Sequence, residues 1–90
     1  MKELELRYVA HVTTITGMLG EMWQTESTTV RELVDELDRA YGGFRGMFLS
    51  PKTKQMQLNA LIYYSDPGEV PVSVIDLDQP IRDGGKVTFW

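Results

Sequence analysis

The sequence has 90 residues, of which 42% are hydrophobic and 24% charged, so we expect residues 1–90 to form one domain with a modest core. A formal charge of −4 at pH 7 repels phosphate backbones and anionic lipid, which argues against nucleic acid and membranes as partners. The lack of cysteine excludes disulfides and thiol chemistry, and the lack of a signal peptide or membrane-length apolar run predicts a cytoplasmic protein.

The first predicted elements are two antiparallel strands. Apolar and charged residues alternate from Leu4 to Tyr8, which is the period of a strand with one buried face, and we predict a strand over residues 3–12. Gly17 and Gly20 then favour a change of direction. Residues 22–24 are predicted to return as the second strand.

One main helix is predicted after the two strands. Thr29 and Glu32 have the spacing of a capping box, which places the helix start at residue 29. Gly42-Gly43 supplies the left-handed conformation that ends helices. Between them one apolar stripe recurs at helical spacing, formed by Val30, Leu33, Val34, Leu37 and Tyr41.

Shorter elements follow the helix. An apolar cluster at residues 44–49 is expected to pack under the helix end, and alternation over residues 56–62 predicts a third strand. Turns are predicted at residues 65–68 and 83–85, with a fourth extended stretch over residues 70–77 between them. Residues 86–90 form the closing strand.

This order of elements predicts an α+β β-grasp fold. A hairpin, a crossing helix and three further strands give a mixed sheet of about five strands, with one main helix packed on one face. We expect the first and last strands to lie side by side in the sheet.

Several motifs resemble the MoaD and ThiS family of ubiquitin-like sulfur carriers. Residues 4–10 resemble the family's first strand, and Gly17 lies where the family has a glycine after a short helical loop. Residues 29–33 resemble its helix start, and residues 41–44 its helix exit. Residues 77–87 (LDQPIRDGGKV) resemble its signature before the last strand, although the family has a shorter turn in place of residues 63–71.

The resemblance implies a carrier whose terminal glycine is adenylated by a ubiquitin-activating-type enzyme, converted to a thiocarboxylate and used to donate sulfur. In that family a proline-containing segment ending in Gly-Gly follows the last strand. The present sequence ends at Trp90, so we expect the 90-residue chain to lack the reactive tail and to form no adenylate. The internal Gly84-Gly85 is predicted to be a hairpin turn.

Individual polar residues give little support for catalysis or metal binding. His11 is the single histidine, and we predict an exposed or hydrogen-bonded strand residue. Two groups of acidic residues could suggest cation ligands, but we expect solvated helix and turn residues instead. These groups are Asp35, Glu36 and Asp38, and Asp76, Asp78 and Asp83. We therefore predict no catalytic residue, cofactor or metal, and no enzyme activity.

A partner-binding surface is predicted on the open face of the sheet. If Val87 and Phe89 point at the helix, then Trp90 points away from it, and Val9 and Val74 can join it there. Large aromatic residues are enriched at interfaces, so we predict that Val9, Val74 and Trp90 contact a protein partner. Alternatively, these residues pack against each other or end a frayed strand.

Two functions remain open. The first is a sulfur-carrier-type domain that docks on a ubiquitin-activating-type adenylyltransferase, a synthase large subunit or another cofactor-synthesis partner. The second is a tail-less ubiquitin-like interaction module unrelated to sulfur transfer. The open sheet face or a free sheet edge could also pair in a weak homodimer.

Overall fold

The computed structural model describes residues 1–50, 52 and 60–90. Their strands are β1 (Lys2–Tyr8), β2 (Gly20–Thr25), β3 (Ile62–Ser65), β4 (Val72–Ser73) and β5 (Lys86–Phe89), and their helices are α1 (Val12–Thr16), α2 (Val30–Tyr41) and α3 (Phe44–Phe48). The sheet order is β2-β1-β5-β3-β4. β1 and β5 are parallel neighbours, whereas the other pairs are antiparallel. The predicted α+β β-grasp, with adjacent first and last strands, is confirmed.

The first strand is shorter than predicted. β1 buries alternate side chains as expected, but it ends at Tyr8 and not at residue 12. Ala10 has a φ of 56°, a left-handed conformation that no regular strand contains, and it turns the chain away from the sheet. The next residues form α1, which ends at Gly17 with a φ of 75°. The predicted antiparallel pairing with β2 is present.

α2 begins and ends where the local signals predict. The Thr29 hydroxyl accepts a hydrogen bond from the Glu32 amide at 3.2 Å, as in a capping box. The Glu32 carboxylate reaches one residue further back than usual and accepts the Thr28 amide at 2.7 Å. That amide is the main reason why the pKa of Glu32 lies below its ordinary value. Gly42 and Gly43 end the helix with φ values of 79° and 83°.

The segment before β5 lies across the N terminus of α2. The Val30 amide donates to the Gln79 carbonyl at 3.3 Å, and the Arg31 amide donates to the Leu77 carbonyl at 2.8 Å. These bonds satisfy amides that the first turn of a helix leaves without intrahelical partners. Leu77 and Ile81 of this segment are buried in the core. The segment therefore fixes the helix start against the sheet.

The core lies between the sheet and the helices. Phe44 of α3 packs against Tyr41 at the end of α2, with ring centroids 6.2 Å apart, which confirms the predicted packing of this segment under the helix end. Phe44 also packs edge-on against Phe89 of β5, with ring centroids 5.4 Å apart. The buried apolar residues of the described part are Leu4, Leu6, Tyr8, Val12, Val30, Leu33, Val34, Leu37, Phe44, Phe48, Leu49, Ala60, Ile62, Tyr64, Val74, Leu77, Ile81, Val87 and Phe89.

The later strands agree with the prediction only in part. Residues 56–59 of the predicted third strand lie outside the described residues, and β3 begins at Ile62. The turn at residues 65–68 is present, with a φ of 79° at Gly68. β4 has two residues in place of the predicted stretch over residues 70–77, because Pro71 has no amide to donate and the chain leaves the sheet after Val74. Within the described part, no helix has the length and hydropathy needed to cross a membrane.

Candidate functional site: the open face of the sheet

The open face of the sheet lies opposite α2 and carries charged and polar side chains at its centre. Strand alternation places Glu5 and Arg7 of β1 on this face, beside Lys86 and Thr88 of β5. Lys86 and Glu5 form an ion pair with 3.7 Å between Nζ and Oε2. Arg7 is exposed and forms no ion pair within the described residues. The guanidinium of Arg7 is thus the uncompensated charge at the centre of the face.

An apolar group lies at one end of this face. The Val9 amide donates to the Phe89 carbonyl, and the Trp90 amide donates to the Leu61 carbonyl, both at 2.9 Å. These bonds continue the ladder beyond β5 and place Trp90 between Val9 and Leu61. Trp90 is 48% exposed and Leu61 43% exposed, whereas Val9 is half-buried. We call Val9, Leu61 and Trp90 the Trp90 patch.

Val74 does not belong to this patch, and the prediction that it joins the open face is wrong. Its side chain is 3% exposed and lies in the core. The Val74 amide donates to the Ile62 carbonyl at 2.8 Å, which places Val74 opposite a core residue. The pairing of Ser73 with Tyr63 puts Ser73 on the open face instead. The partner-binding prediction for Val9 and Trp90 stays a prediction.

Leu61 is the member of the patch that the sequence interpretation missed. Its neighbours Ala60 and Ile62 are both buried, so alternation requires Leu61 to point the other way. That signal was present in the predicted third strand. The structure adds the hydrogen bond to Trp90, which shows that the two residues are neighbours across the sheet.

The paired glycines form a turn before β5, as predicted, but it is not a hairpin, because β4 and β5 are not neighbours in the sheet. Gly84 has a φ of 81°, and its amide donates to the Glu3 carbonyl at 2.8 Å. The Gly85 carbonyl accepts the Glu5 amide at 2.9 Å. A Cβ at Gly85 would lie 2.8 Å from the Tyr64 hydroxyl oxygen, so the close approach requires glycine here. These glycines are part of the ladder between β1 and β5.

On the helix face, one carboxylate joins three elements. Glu21 of β2 accepts hydrogen bonds from the Tyr8 hydroxyl at 2.6 Å and the Tyr41 hydroxyl at 2.5 Å. Burial and this carboxylate raise the pKa of Tyr41 to about 12, and they raise that of Tyr8 further above its usual range. Both hydroxyls therefore stay protonated at neutral pH and donate hydrogen bonds to Glu21. These bonds have a structural role, which was not predicted from the sequence.

Two acidic residues of α2 accept hydrogen bonds from other side chains, although the sequence predicts solvated residues. Glu36 was expected to face solvent, but its carboxylate accepts the Trp23 indole NH at 3.0 Å and the Thr25 hydroxyl. Asp35 accepts the Arg45 guanidinium at 2.9 Å. Among the described residues, no three histidine or acidic side chains are grouped as a metal site.

Two other predictions concern polar residues outside the open face. His11 is exposed as expected, but it precedes α1 as its N-cap and does not lie in a strand. Asp78 forms an ion pair with Arg31 at 2.8 Å, and hydrogen bonding to this guanidinium lowers the pKa of the carboxyl. Asp83 accepts the Glu3 amide at 2.8 Å in the turn before β5.

The sequence matches no protein-family model and has no significant match among curated proteins. The fold is similar to that of several solved structures. The HVO 2177 protein of Haloferax volcanii has a TM-score of 0.74 at 23% identity, over 98% of this chain and 80% of its own. A chain of the BexX/CysO complex from Amycolatopsis orientalis has a TM-score of 0.71 at 16% identity, over 97% of this chain and 92% of its own.

A third similar structure is a Pyrococcus furiosus protein assigned as molybdopterin converting factor, subunit 1. It has a TM-score of 0.66 at 20% identity, over 99% of this chain and 95% of its own. At these identities the likeness is one of fold, and it confirms the fold that the sequence resemblance implies. The chain therefore has the ubiquitin-like β-grasp fold.

Proposed function

We propose that this chain is a sulfur-carrier-type domain that docks on an adenylyltransferase of the ubiquitin-activating type, or on a cofactor-synthesis partner. The observation that carries the proposal is the 48% exposed Trp90, held between Val9 and Leu61 on the open face. The proposal concerns docking, because docking requires only the described domain. We place this step in the cytoplasm. The chain acts by binding and not by catalysis.

The fixed backbone of the Trp90 patch supports a docking role. A residue whose backbone is already fixed before binding loses less conformational entropy when a partner covers it. The backbone of Trp90 is fixed in this sense because its amide bonds to the Leu61 carbonyl at 2.9 Å. Tryptophan also contributes more binding energy at interfaces than most residue types. The patch thus has the chemistry of a small hot spot.

The polar surroundings of the patch indicate what the partner carries. Arg7 of β1 lies opposite Thr88 of β5 in the parallel ladder, and Thr88 is two residues before Trp90. An acidic side chain on the partner could pair with this guanidinium, and such pairs contribute mainly orientation and association rate. We therefore expect an apolar pocket with a carboxylate beside it on the partner surface.

The similar structures add support of a general kind. One of them is a chain in a BexX/CysO complex, and another is named as a subunit of the molybdopterin converting factor. Both descriptions refer to protein assemblies. The alternative function is an interaction module of the same fold that takes no part in sulfur transfer, and the choice of partner in the experiment separates the two.

The proposal is tested by titration calorimetry of the 90-residue chain against the activating-type adenylyltransferase encoded in the same genome. Trp90→Ala should weaken binding by more than about 1 kcal/mol, which is roughly a fivefold change in Kd. The control is Ile75→Ala, which removes an 87% exposed apolar side chain outside the patch and should leave the Kd unchanged.

Two results would contradict the proposal in different ways. Equal affinities of the wild-type and Trp90→Ala chains would remove Trp90 from the docking surface. If the wild-type chain binds neither the adenylyltransferase nor a cofactor-synthesis partner from the same genome, the carrier function is wrong and the interaction module is favoured. Thermal unfolding of each variant checks that the fold is retained.

A further inference from the structure

The two edges of the sheet are built differently. β4 forms one edge with two residues and follows Pro71, so it offers little backbone for pairing. β2 forms the other edge with six residues. Within the described part of the chain, no strand pairs with the outer side of β2. This side is the longer and less protected edge of the sheet.

The hydrogen bonds between β1 and β2 show which backbone groups point outward. Tyr8 donates to the Leu19 carbonyl at 2.9 Å, so these two residues form a hydrogen-bonded pair at the start of the ladder. Hydrogen-bonded pairs alternate along an antiparallel ladder. The backbone groups of Glu21, Trp23 and Thr25 therefore face β1. Those of Gly20, Met22 and Gln24 face away from the sheet.

The side chains along this edge give it little protection. Edge strands usually carry lysine, proline or an inward-pointing charge that prevents pairing with another chain. β2 contains no lysine, arginine or proline, and its one charged side chain, Glu21, points to the helix face, where its carboxylate accepts the two tyrosine hydroxyls. Leu19 and Met22 are 72% and 59% exposed beside the free backbone groups. The edge therefore combines apolar side chains with unpaired backbone groups.

We propose that a second copy of this chain occupies the edge, with the two β2 strands antiparallel and Met22 opposite Met22. In this register Gly20 lies opposite Gln24, so the outward backbone groups of both chains face each other in three pairs. The two exposed Met22 side chains cover one another on the open face. The two sheets become one continuous sheet across a twofold axis.

The charges permit this arrangement despite the net charge of −4 on each chain. Glu26, which follows β2, lies opposite Met18 of the second copy. The two Glu26 residues are thus eight positions apart, or about 27 Å along the strands, which exceeds the screening length at physiological salt. The two Glu21 residues come closer, two positions apart on the helix face, and each carboxylate accepts hydrogen bonds from the Tyr8 and Tyr41 hydroxyls of its own chain. Their repulsion is a further reason to expect a weak dimer.

The dimer is weak and leaves the Trp90 patch free. One strand from each chain buries less surface than a standard stable interface, so we expect a Kd on the order of 0.1–1 mM. β1 separates β2 from β5, the strand that leads to Trp90, so pairing does not cover the patch. The proposal is independent of the docking function, and each can fail without the other.

The first test uses the lack of cysteine in the 90-residue chain. Met22→Cys gives a chain with a single thiol, which lies opposite its own copy at a Cα separation that a disulfide can span. Under mild oxidation at about 0.5 mM chain, this variant should become mostly disulfide-linked dimer. Ser73→Cys, on the exposed β4 edge, is the matched control and should stay mostly monomeric. Equal cross-linking of the two variants overturns the proposal.

The second test measures amide hydrogen exchange at about 20 μM and about 1 mM chain. The amides of Met22 and Gln24 should become protected at the higher concentration, whereas the Trp23 amide is protected at both because it bonds to β1. Met22→Lys should abolish this change while keeping the spectrum of a folded chain. A wild-type chain that stays monomeric at 1 mM, or a dimer whose Met22 and Gln24 amides exchange freely, overturns the proposal.

Discussion

Glu21 and Tyr41, which lie 20 residues apart in the sequence, are joined by a hydrogen bond of 2.5 Å from the tyrosine hydroxyl to the carboxylate. The same oxygen of Glu21 accepts the Tyr8 hydroxyl at 2.6 Å. One side chain of β2 therefore holds the end of α2 and the end of β1. The rings of Tyr8 and Tyr41 also pack edge-on, with centroids 6.5 Å apart.

This cluster predicts a loss of stability at alkaline pH. The pKa of Tyr41 is raised by burial and by Glu21 from its ordinary value of 10.0 to about 12, so the folded chain favours the protonated hydroxyl. The stabilisation is complete below pH 10 and is lost as the pH rises toward 12. Burial and Glu21 raise the pKa of Tyr8 as well, which extends the loss to higher pH.

Urea unfolding between pH 8 and pH 11.5 checks this expectation. The free energy of unfolding should fall over that range, and Tyr41→Phe should make the fall shallower because one of the titrating groups is removed. Tyr63→Phe, on the opposite face of the sheet, is the control and should keep the wild-type slope. A Tyr41→Phe variant with the wild-type pH dependence would show that the hydroxyl does not titrate with folding.

A second prediction concerns Val74, which the structure places in the core. Val74→Ala should lower the free energy of unfolding by about 1–3 kcal/mol, because it leaves a cavity at a site that is 3% exposed. Val72→Ala makes the same chemical change at a site that is 63% exposed and should cost less than about 0.5 kcal/mol. Equal effects in urea unfolding would contradict the assignment of Val74 to the core.

A third prediction concerns the turn before β5. Gly85→Ala should destabilise the fold by about 1–3 kcal/mol, because the new methyl group would lie 2.8 Å from the Tyr64 hydroxyl and 3.0 Å from the Arg82 carbonyl. Gly46→Ala in α3 meets no atom within 4 Å and should be neutral or stabilising, since alanine favours helices. The difference between the two melting temperatures is the measurement, and a Gly85→Ala variant as stable as wild type would refute the close approach.

Local signals account for the features that the sequence predicts well. The start of α2 at Thr29 and its end at Gly42 depend on side chains within a few residues of the helix termini. Between these two ends the apolar stripe of α2 keeps one helical period, so the sequence also predicts which face of the helix is buried. The turn at Gly84-Gly85 is predictable for the same reason, because left-handed backbone conformations favour glycine.

The features that the sequence does not predict depend on contacts between distant residues. Glu36 has the spacing of a solvent-facing helix residue, and its engagement with Trp23 arises because β2 passes beside α2. Val74 follows a strand of two residues, which is too short for alternation to fix the phase. Ala10 carries no sequence signal for its φ of 56°, so the end of β1 could not be placed.

The last prediction concerns Arg7 and rests on the proposed docking function. If the partner carries an acidic side chain opposite this guanidinium, Arg7→Gln should slow association by roughly twofold to tenfold at low ionic strength. The effect should shrink at high salt because charges on an exposed face are screened. Arg39→Gln on α2 changes the net charge by the same amount away from the open face and is the matched control. Stopped-flow association rates at two salt concentrations give the comparison, and equal rates for the two variants would show that the position of Arg7 contributes nothing to docking.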